Sequence, residues 1–450
     1  MFMISFASQC DVKEEPVFKS IRNRLTALVL VGLVAAGSAG RLEAAGFALF
    51  EQSSKGNAVA GAFTATADDP SAMFYNPAGN AFIDRFTLEG GGFAILRPTA
   101  RLDGQSPYPG DGYSASMSKG LYGIGHGYGV LPLSDSVKLS AGFWTPNGLG
   151  VPWENQDTFA GRFISQRNDL RQLAVSAQLA VKLSDWVAIG AGPEVRFTDV
   201  RLSQNIAAVN PFTQRVVDIA HVSVVSEGTP VKVGLAAGLL LKPCERLRLG
   251  IAYHSHMDVD LEGKAEFGQI PTGSPQFDAA VAQELPFGKG TRARTTLQFP
   301  SVTMFGIAYD LTPNLTLEAD GTYTTWKVFD QTVLQIDGLP DTTLPHGWEN
   351  TWAVRVGLTY KMGSGSWVAG GFGYDQTPQP DSDVGVFLPD ANRTGAHIGA
   401  GIAVSKHFEF QVSSLFAWFH QRTITTSKDN FSATYQTFAI LPSVTLKSTF

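Results

Sequence analysis

The chain has 450 residues, long enough for several soluble domains, yet only 16% of it is charged, against about 25% in ordinary globular proteins. With 47 glycines, 30 phenylalanines and a mean hydropathy of +0.01 it is too apolar for disorder, and its apolar residues are too evenly spread for helices that need about 20 of them in a row. A net charge of −6 gives no basic surface and no reason to expect nucleic acid. Few charges, many glycines and aromatics, and no long apolar block are the bulk signature of a membrane β-barrel.

The chain order begins with a leader. Lys19, Arg22 and Arg24 precede an apolar run over residues 25–36, about the length of a signal-peptide core and too short to span a bilayer as a helix. Small residues follow, and cleavage is expected after Ala44, so that residues 1–44 are a signal peptide with an N-terminal extension. Cys10 is then lost and Cys244 alone remains, which leaves no internal disulfide.

Residues 45–85 do not alternate as strands do. The stretch 51–67 is rich in Ala, Gly, Ser and Thr and begins as a helix. Asp68 to Gly79 carries Pro70, Pro77 and Gly79 and should be irregular. Asn76, Pro77 and Ala78 are expected in a turn near a wall, because Pro77 donates no hydrogen bond and biases Asn76 away from helix.

From residue 86 the pattern changes to period two. Leu173, Val175, Leu179 and Val181 share one face, and Gln172, Ser176, Gln178 and Lys182 the other. Trp352, Val354, Val356 and Leu358 oppose Thr351, Arg355, Thr359 and Lys361. Leu315, Leu317 and Tyr323 oppose Thr316, Glu318, Asp320 and Thr322. Val444, Leu446 and the terminal Phe450 oppose Ser443, Thr445 and Lys447. Fourteen such segments are read, at 86–97, 117–130, 137–145, 170–183, 187–203, 230–242, 246–264, 293–310, 314–328, 350–362, 366–375, 393–405, 407–425 and 431–450. Short connections alternate with long ones, near 98–116, 146–169, 204–229, 265–292, 329–349 and 376–392. An even strand count with long loops on one side is the plan of an outer-membrane barrel, here over 86–450. A barrel of fourteen strands is too wide for side chains to fill, so residues 45–85 are expected inside it as a plug.

Gly46-Phe47, Glu51-Gln52-Ser53, Ala67 to Ser71 and Phe74 to Gly79 resemble the N-terminal hatch of the FadL family of outer-membrane transporters. The likeness continues at Gly142 to Gly150, Phe299-Pro300-Ser301, Trp326, Trp348, Thr351-Trp352, Gly373-Tyr374-Asp375 and Leu388-Pro389-Asp390. The resemblance implies a fourteen-stranded barrel with a hatch. It also implies passive uptake of long-chain fatty acids or similar hydrophobic compounds, with lateral release into the membrane through an opening on the third strand. An import channel for aromatic hydrocarbons is the alternative, and a general aqueous porin a weaker one. No cofactor, metal or catalysis is expected. The expected partners are a hydrophobic ligand and outer-membrane lipid, with the chain a monomer.

The candidate ligand residues are Arg355 and Lys182, lumen-facing cations suited to a carboxylate, with Trp348, Phe143 and Trp144. Pairing of Arg355 with Glu318 or Asp320 is the blander reading. Gly142 and Pro146 are the candidate lateral opening, because a glycine permits a bend, a proline cannot donate to a ladder, and 137–145 reads as the shortest strand. The glycines at 123, 125, 127 and 129 alternate along one strand and are expected to pack on the hatch or bend the strand. His254 and His256 share a strand face but lack a third ligand for a metal.

Overall fold

The computed structural model describes residues 46–105, 111–118, 121–363, 365–425 and 427–450. The expected leader, its cleavage point and Cys10 lie outside the described residues. Fourteen antiparallel strands close a barrel: β1 Thr87–Gln105, β2 Leu121–Pro132, β3 Val137–Pro152, β4 Arg167–Ser184, β5 Val187–Asn210, β6 Val231–Cys244, β7 Leu247–His254, β8 Val302–Thr312, β9 Leu315–Thr324, β10 Thr351–Lys361, β11 Trp367–Asp375, β12 Arg393–Ala403, β13 Phe408–Ile424 and β14 Ser432–Thr449. Each pairs with the next, and β14 returns to β1 from Thr449↔Thr87 to Ser432↔Gln105. Closure leaves no unpaired sheet edge for the bilayer to meet except where β2 and β3 part.

The period-two pattern sets the faces. On β10, Trp352, Val354 and Leu358 are exposed to the surround, while Ala353 and Arg355 are buried inside. On β4, Leu173, Val175 and Leu179 face out and Gln172, Ser176 and Gln178 face in. The exterior is an apolar surface that only a bilayer would cover.

Several expected loops are strands instead. Beyond the wall β5 leaves β6 and pairs with Arg215–Ser226. After a break at Ser255 and His256, β7 continues as Met257–Gln269, which pairs with Thr291–Phe299 and with Arg215–Ser226. A helix, Pro275–Glu284, and a hairpin of Gln331–Ile336 with Thr342–Pro345 complete this rim. Of these segments only Met257–Gln269 alternates as the wall does, so the connections near 204–229, 265–292 and 329–349 carry structure that a period of two does not mark. The third strand is also not the shortest: β3 runs on through Pro146 to Pro152.

Residues 84–86, which lead into β1, are exposed, whereas residues 46–83 lie within the ring of strands and are almost entirely buried. Their helical pieces, Ser54–Ala58, Ala72–Tyr75 and the 3-10 turn Pro77–Phe82, are too short to persist alone, so the wall must hold them. Inward side chains do so around the whole circumference. Asp320 accepts from the Phe63 and Thr64 amides at 3.0 and 2.9 Å, and Glu318 from the Ala65 and Thr66 amides at 2.6 and 3.1 Å. Gln178 donates to the Met73 carbonyl, Asn57 to Ser413, and the Ser54 hydroxyl meets Thr445. Asn76 is extended and opens the turn: its carbonyl accepts from the Gly79 amide at 2.9 Å and its side chain from the Ala78 amide at 3.2 Å. Its amide donates to the carbonyls of Thr64 and of Leu239 on β6, and Pro77 opens the 3-10 turn behind it.

Close approach depends on inward glycines facing one another across neighbouring strands. A Cβ on Gly238 would lie 2.1 Å from Asn76 Oδ1, and one on its partner Gly190 2.4 Å from Pro77. Gly250 and Gly306 admit Thr64 and Ala65 in the same way, and Gly357 and Gly371 admit Val59. Three glycine pairs are thus seats for the inner segment.

Candidate functional site: a window in the wall and an aromatic cluster

Strand β2 pairs with β1 from Leu121 to Val130, but with β3 only from Gly127↔Phe143 down to Pro132↔Lys138. Higher up the chain closes again at the Met117↔Trp153 bridge, where the Ser118 amide donates to the Pro152 carbonyl. Between these two closures the wall has a window. On its far side the β3–β4 ladder shifts register between Trp144 and Asn147, which brackets Pro146.

The freed edge of β3 is not bare. The inner segment lays a short strand against it: the Leu49 amide donates to the Pro146 carbonyl at 2.9 Å, the Gly148 amide donates to the Phe47 carbonyl at 3.0 Å, and Ala48 faces Asn147 between them. Gln52 also donates to the Thr145 carbonyl at 2.7 Å. A cavity of about 570 Å³ lies at the window. Its lining joins the inner Leu49 and Gln172 to the outward Gly123 and Leu173.

The Phe47 side chain points from this strand into a cluster of aromatic rings. It meets Trp326 at 4.6 Å between centroids, Phe329 at 5.5 Å, Trp348 at 5.7 Å and Phe299 at 5.8 Å. The Gly46 amide donates to Asp390 at 3.0 Å. Trp348 donates through Nε1 to Asp383, which is also bound by Lys428 and His346. Burial acts to raise the carboxyl of Asp383, but the His346 hydrogen bond and the Lys428 charge hold it below the usual range. Burial pushes Asp390 up to about 6, although Thr377 and the Gly46 amide hydrogen-bond it.

The sequence candidates do not converge on one pocket. Trp348 lies in the cluster. Trp144 is fully buried on the lumen side, near Phe74 and Tyr128. Phe143, its neighbour, is on the opposite face and 44% exposed, so it lines the exterior and not the ligand side. Arg355 is buried but pairs with Asp375 at 2.6 Å and lies 4.6 Å from the Phe50 ring centre. Asp375 is shared with Arg393, and neither Glu318 nor Asp320 is its partner, because both accept from the inner segment. Lys182 sits at the short-turn end, paired with Asp185. Gly142 is paired on both sides, to Tyr128 and Ser176, and faces Met73, so the bend begins past it. Pro146 lies at the window itself. The sequence marks Phe47 only through the hatch likeness and Phe329 not at all, because aromatic residues outside a recognisable strand carry no facing signal. His254 is buried between Glu194 and the Phe74 carbonyl, whereas His256 is outside with Asp258. Among the described residues no cluster of three or more metal-ligating side chains forms.

A family model described as outer membrane protein transport protein (OMPP1/FadL/TodX) matches residues 34–450. The long-chain fatty acid transport protein of Salmonella typhi is 24% identical over 384 residues, covering 80% of this chain and 85% of that protein. A FadL homologue from Pseudomonas aeruginosa superposes with a TM-score of 0.74 at 23% identity, covering 90% of this chain and 99% of that one. The toluene transporter TodX of P. putida superposes at 0.67 and 17% identity, covering 89% and 99%. The closed barrel, the buried inner segment and a family match running to the last residue agree: this chain belongs to the outer membrane protein transport family that includes FadL and TodX.

Proposed function

We propose that the protein takes up long-chain fatty acids or similar hydrophobic compounds passively across the outer membrane. The ligand binds among the aromatic rings around Phe47 and leaves sideways through the window between β2 and β3. The window carries this reading. A hydrophobic molecule gains nothing from passing into periplasmic water, where its surface would be wetted at about 25 cal/mol per Å². An opening in the wall avoids that, and unpaired backbone at membrane depth persists only where something satisfies it. Phe47 to Leu49 supply those hydrogen bonds, and Phe47 also fills the aromatic cluster. A ligand that displaces Phe47 would therefore loosen the same strand that covers the window. Residues 45–85 act as the plug that keeps the route from being an aqueous pore.

An aromatic hydrocarbon is the second reading. The cations beside the cluster, Arg355, Arg393 and Lys428, are each engaged by a carboxylate, so a neutral ligand asks less of the site. Proteoliposomes test both. A fluorescent fatty acid and toluene should reach vesicle lipid faster with the protein present, while small sugars cause no swelling. Sugar-driven swelling at porin rates would identify an aqueous channel instead.

A further inference from the structure

The outer face of β1 and β2 lacks side chains where the rest of the wall carries large apolar ones. Gly90, Gly92, Gly123, Gly125, Gly127 and Gly129 all point outward, and Gly90 faces Gly127 across the strands as Gly92 faces Gly125. The inward glycine pairs each seat the plug. These do not. A Cβ on Gly90, Gly123 or Gly125 would meet nothing closer than 3.9 Å, and none of the three has a positive φ. At Gly92, Gly127 and Gly129 a Cβ would lie 2.8 Å from the Ile124 carbonyl, 2.7 Å from the Phe143 ring and 3.0 Å from Leu88, so contacts within the protein account for those three. At Gly90, Gly123 and Gly125 neither packing within the protein nor backbone conformation requires glycine, and glycine weakens a strand. What these three accommodate lies outside the protein.

The strip runs for roughly 20 Å from Gly123 to Gly129, at about 3.3 Å per residue. Its lower part, Gly127 and Gly129 with Gly90 beside them, forms the floor of an exterior depression of about 1150 Å³, walled by Leu88, Leu446, Leu131, Leu139, Phe143 and Leu173, and Gly125 lies between this depression and Gly123. The upper end adjoins the window: Leu173 lines both hollows, and Gly123 lines the window cavity. Phe143 belongs to the last β2–β3 pair below the window, and its ring lies 2.7 Å from the Cβ position of Gly127, across the strip.

We infer that this glycine strip is a docking trough for the hydrocarbon chain of the departing ligand, its first station on the lipid side of the window. The inference rests on lateral exit as proposed above. The occupant is an extended, unbranched apolar chain, because the strip is about 20 Å long and the hollow at its lower end is lined mostly by leucine, glycine and Phe143, with Glu89, Tyr128 and Ser448 as its polar members. Continuity with the window separates this occupant from an ordinary lipid tail, which would meet the same wall anywhere on the barrel. Phe143 is the lip over which the chain passes.

The test uses palmitate carrying a terminal diazirine, with the full chain in proteoliposomes. Light should attach it to Trp348 or its neighbours in the lumen and to Leu88, Leu131 or Phe143 outside. Gly125→Leu should lower the outside labelling about tenfold, the ratio that 1.4 kcal/mol sets, with lumen labelling unchanged. Gly123→Leu, whose side chain enters open space, should do the same should the first variant assemble poorly. Unchanged outside labelling in both variants would overturn the trough. So would equal labelling of the strip by a phospholipid bearing the same diazirine, which would make the strip an ordinary lipid contact. Absence of lumen labelling in the unaltered protein would overturn the binding reading as well, a result distinct from loss of the outside signal alone.

Discussion

Replacing Asp320 by alanine removes the acceptor of two buried amides, those of Phe63 and Thr64, at 3.0 and 2.9 Å. Both residues are at most 2% exposed, so water does not take over without a local opening. A buried donor left unpaired costs about 1–3 kcal/mol, hence roughly 2–6 kcal/mol for the pair. At 1.4 kcal/mol per decade, amide hydrogen exchange at 63 and 64 should speed up by roughly 30-fold to 10⁴-fold. Ala65 and Thr66, held by Glu318 on the same strand, are the internal reference and should change much less. Exchange followed by mass spectrometry on the micellar protein reads both pairs in one experiment. Unchanged exchange at 63 and 64 would refute the idea that wall carboxylates hold the inner segment.

Phe47→Ala empties the space among Trp326, Trp348, Phe299 and Phe329. A loss of about 3–5 kcal/mol is expected locally, seen as a shift in tryptophan emission that added toluene reverses. Gly238→Val places a side chain where Asn76 and Pro77 sit, so sugar permeability should rise although the barrel still assembles; an unchanged permeability would separate the Asn-Pro-Ala element from plugging. Burial raises the Asp390 carboxyl to about 6 from an unfolded value near 4, so the folded state holds its proton more tightly. Its contribution is then present at pH 4 and lost as pH rises through 6, about 3 kcal/mol for a two-unit shift. The melting temperature of Asp390→Asn relative to the unaltered protein should therefore rise between pH 4 and pH 7, and a constant difference would exclude the effect.

Strand number, the inner segment and the faces of the wall were legible because a half-lipid, half-lumen strand must alternate. The β3 parity was legible too: Leu139, Ala141 and Phe143 share a face, so adjacent Phe143 and Trp144 cannot both meet a ligand. The window was not, because it depends on where β2 stops matching β3, a register set between two strands and not within either. The hydrogen bonds that cover it come from Phe47 and Leu49, nearly a hundred residues earlier, through backbone groups that any sequence would supply. The partner of Arg355 was missed for a related reason. Asp320 is its cross-strand neighbour, yet the inner segment claims that carboxylate and leaves Asp375 on the other side to take the charge. The glycines of β2 showed their period but not their direction, since glycine has no side chain to mark a face.

Lateral exit is tested most directly by locking the window shut. Ala48 and Asn147 face each other as a non-hydrogen-bonded antiparallel pair, flanked by the Leu49–Pro146 and Gly148–Phe47 bonds. Such pairs have Cα atoms about 4.5 Å apart, within the reach of a disulfide. Ala48→Cys with Asn147→Cys, in a Cys244→Ser background, should form that bond on oxidation. Delivery of a labelled fatty acid into vesicle lipid should then fall to the protein-free rate and recover on reduction, with the barrel assembled throughout. Equal delivery in the oxidised and reduced forms, with the disulfide confirmed by mass spectrometry, would contradict exit through the wall at this position.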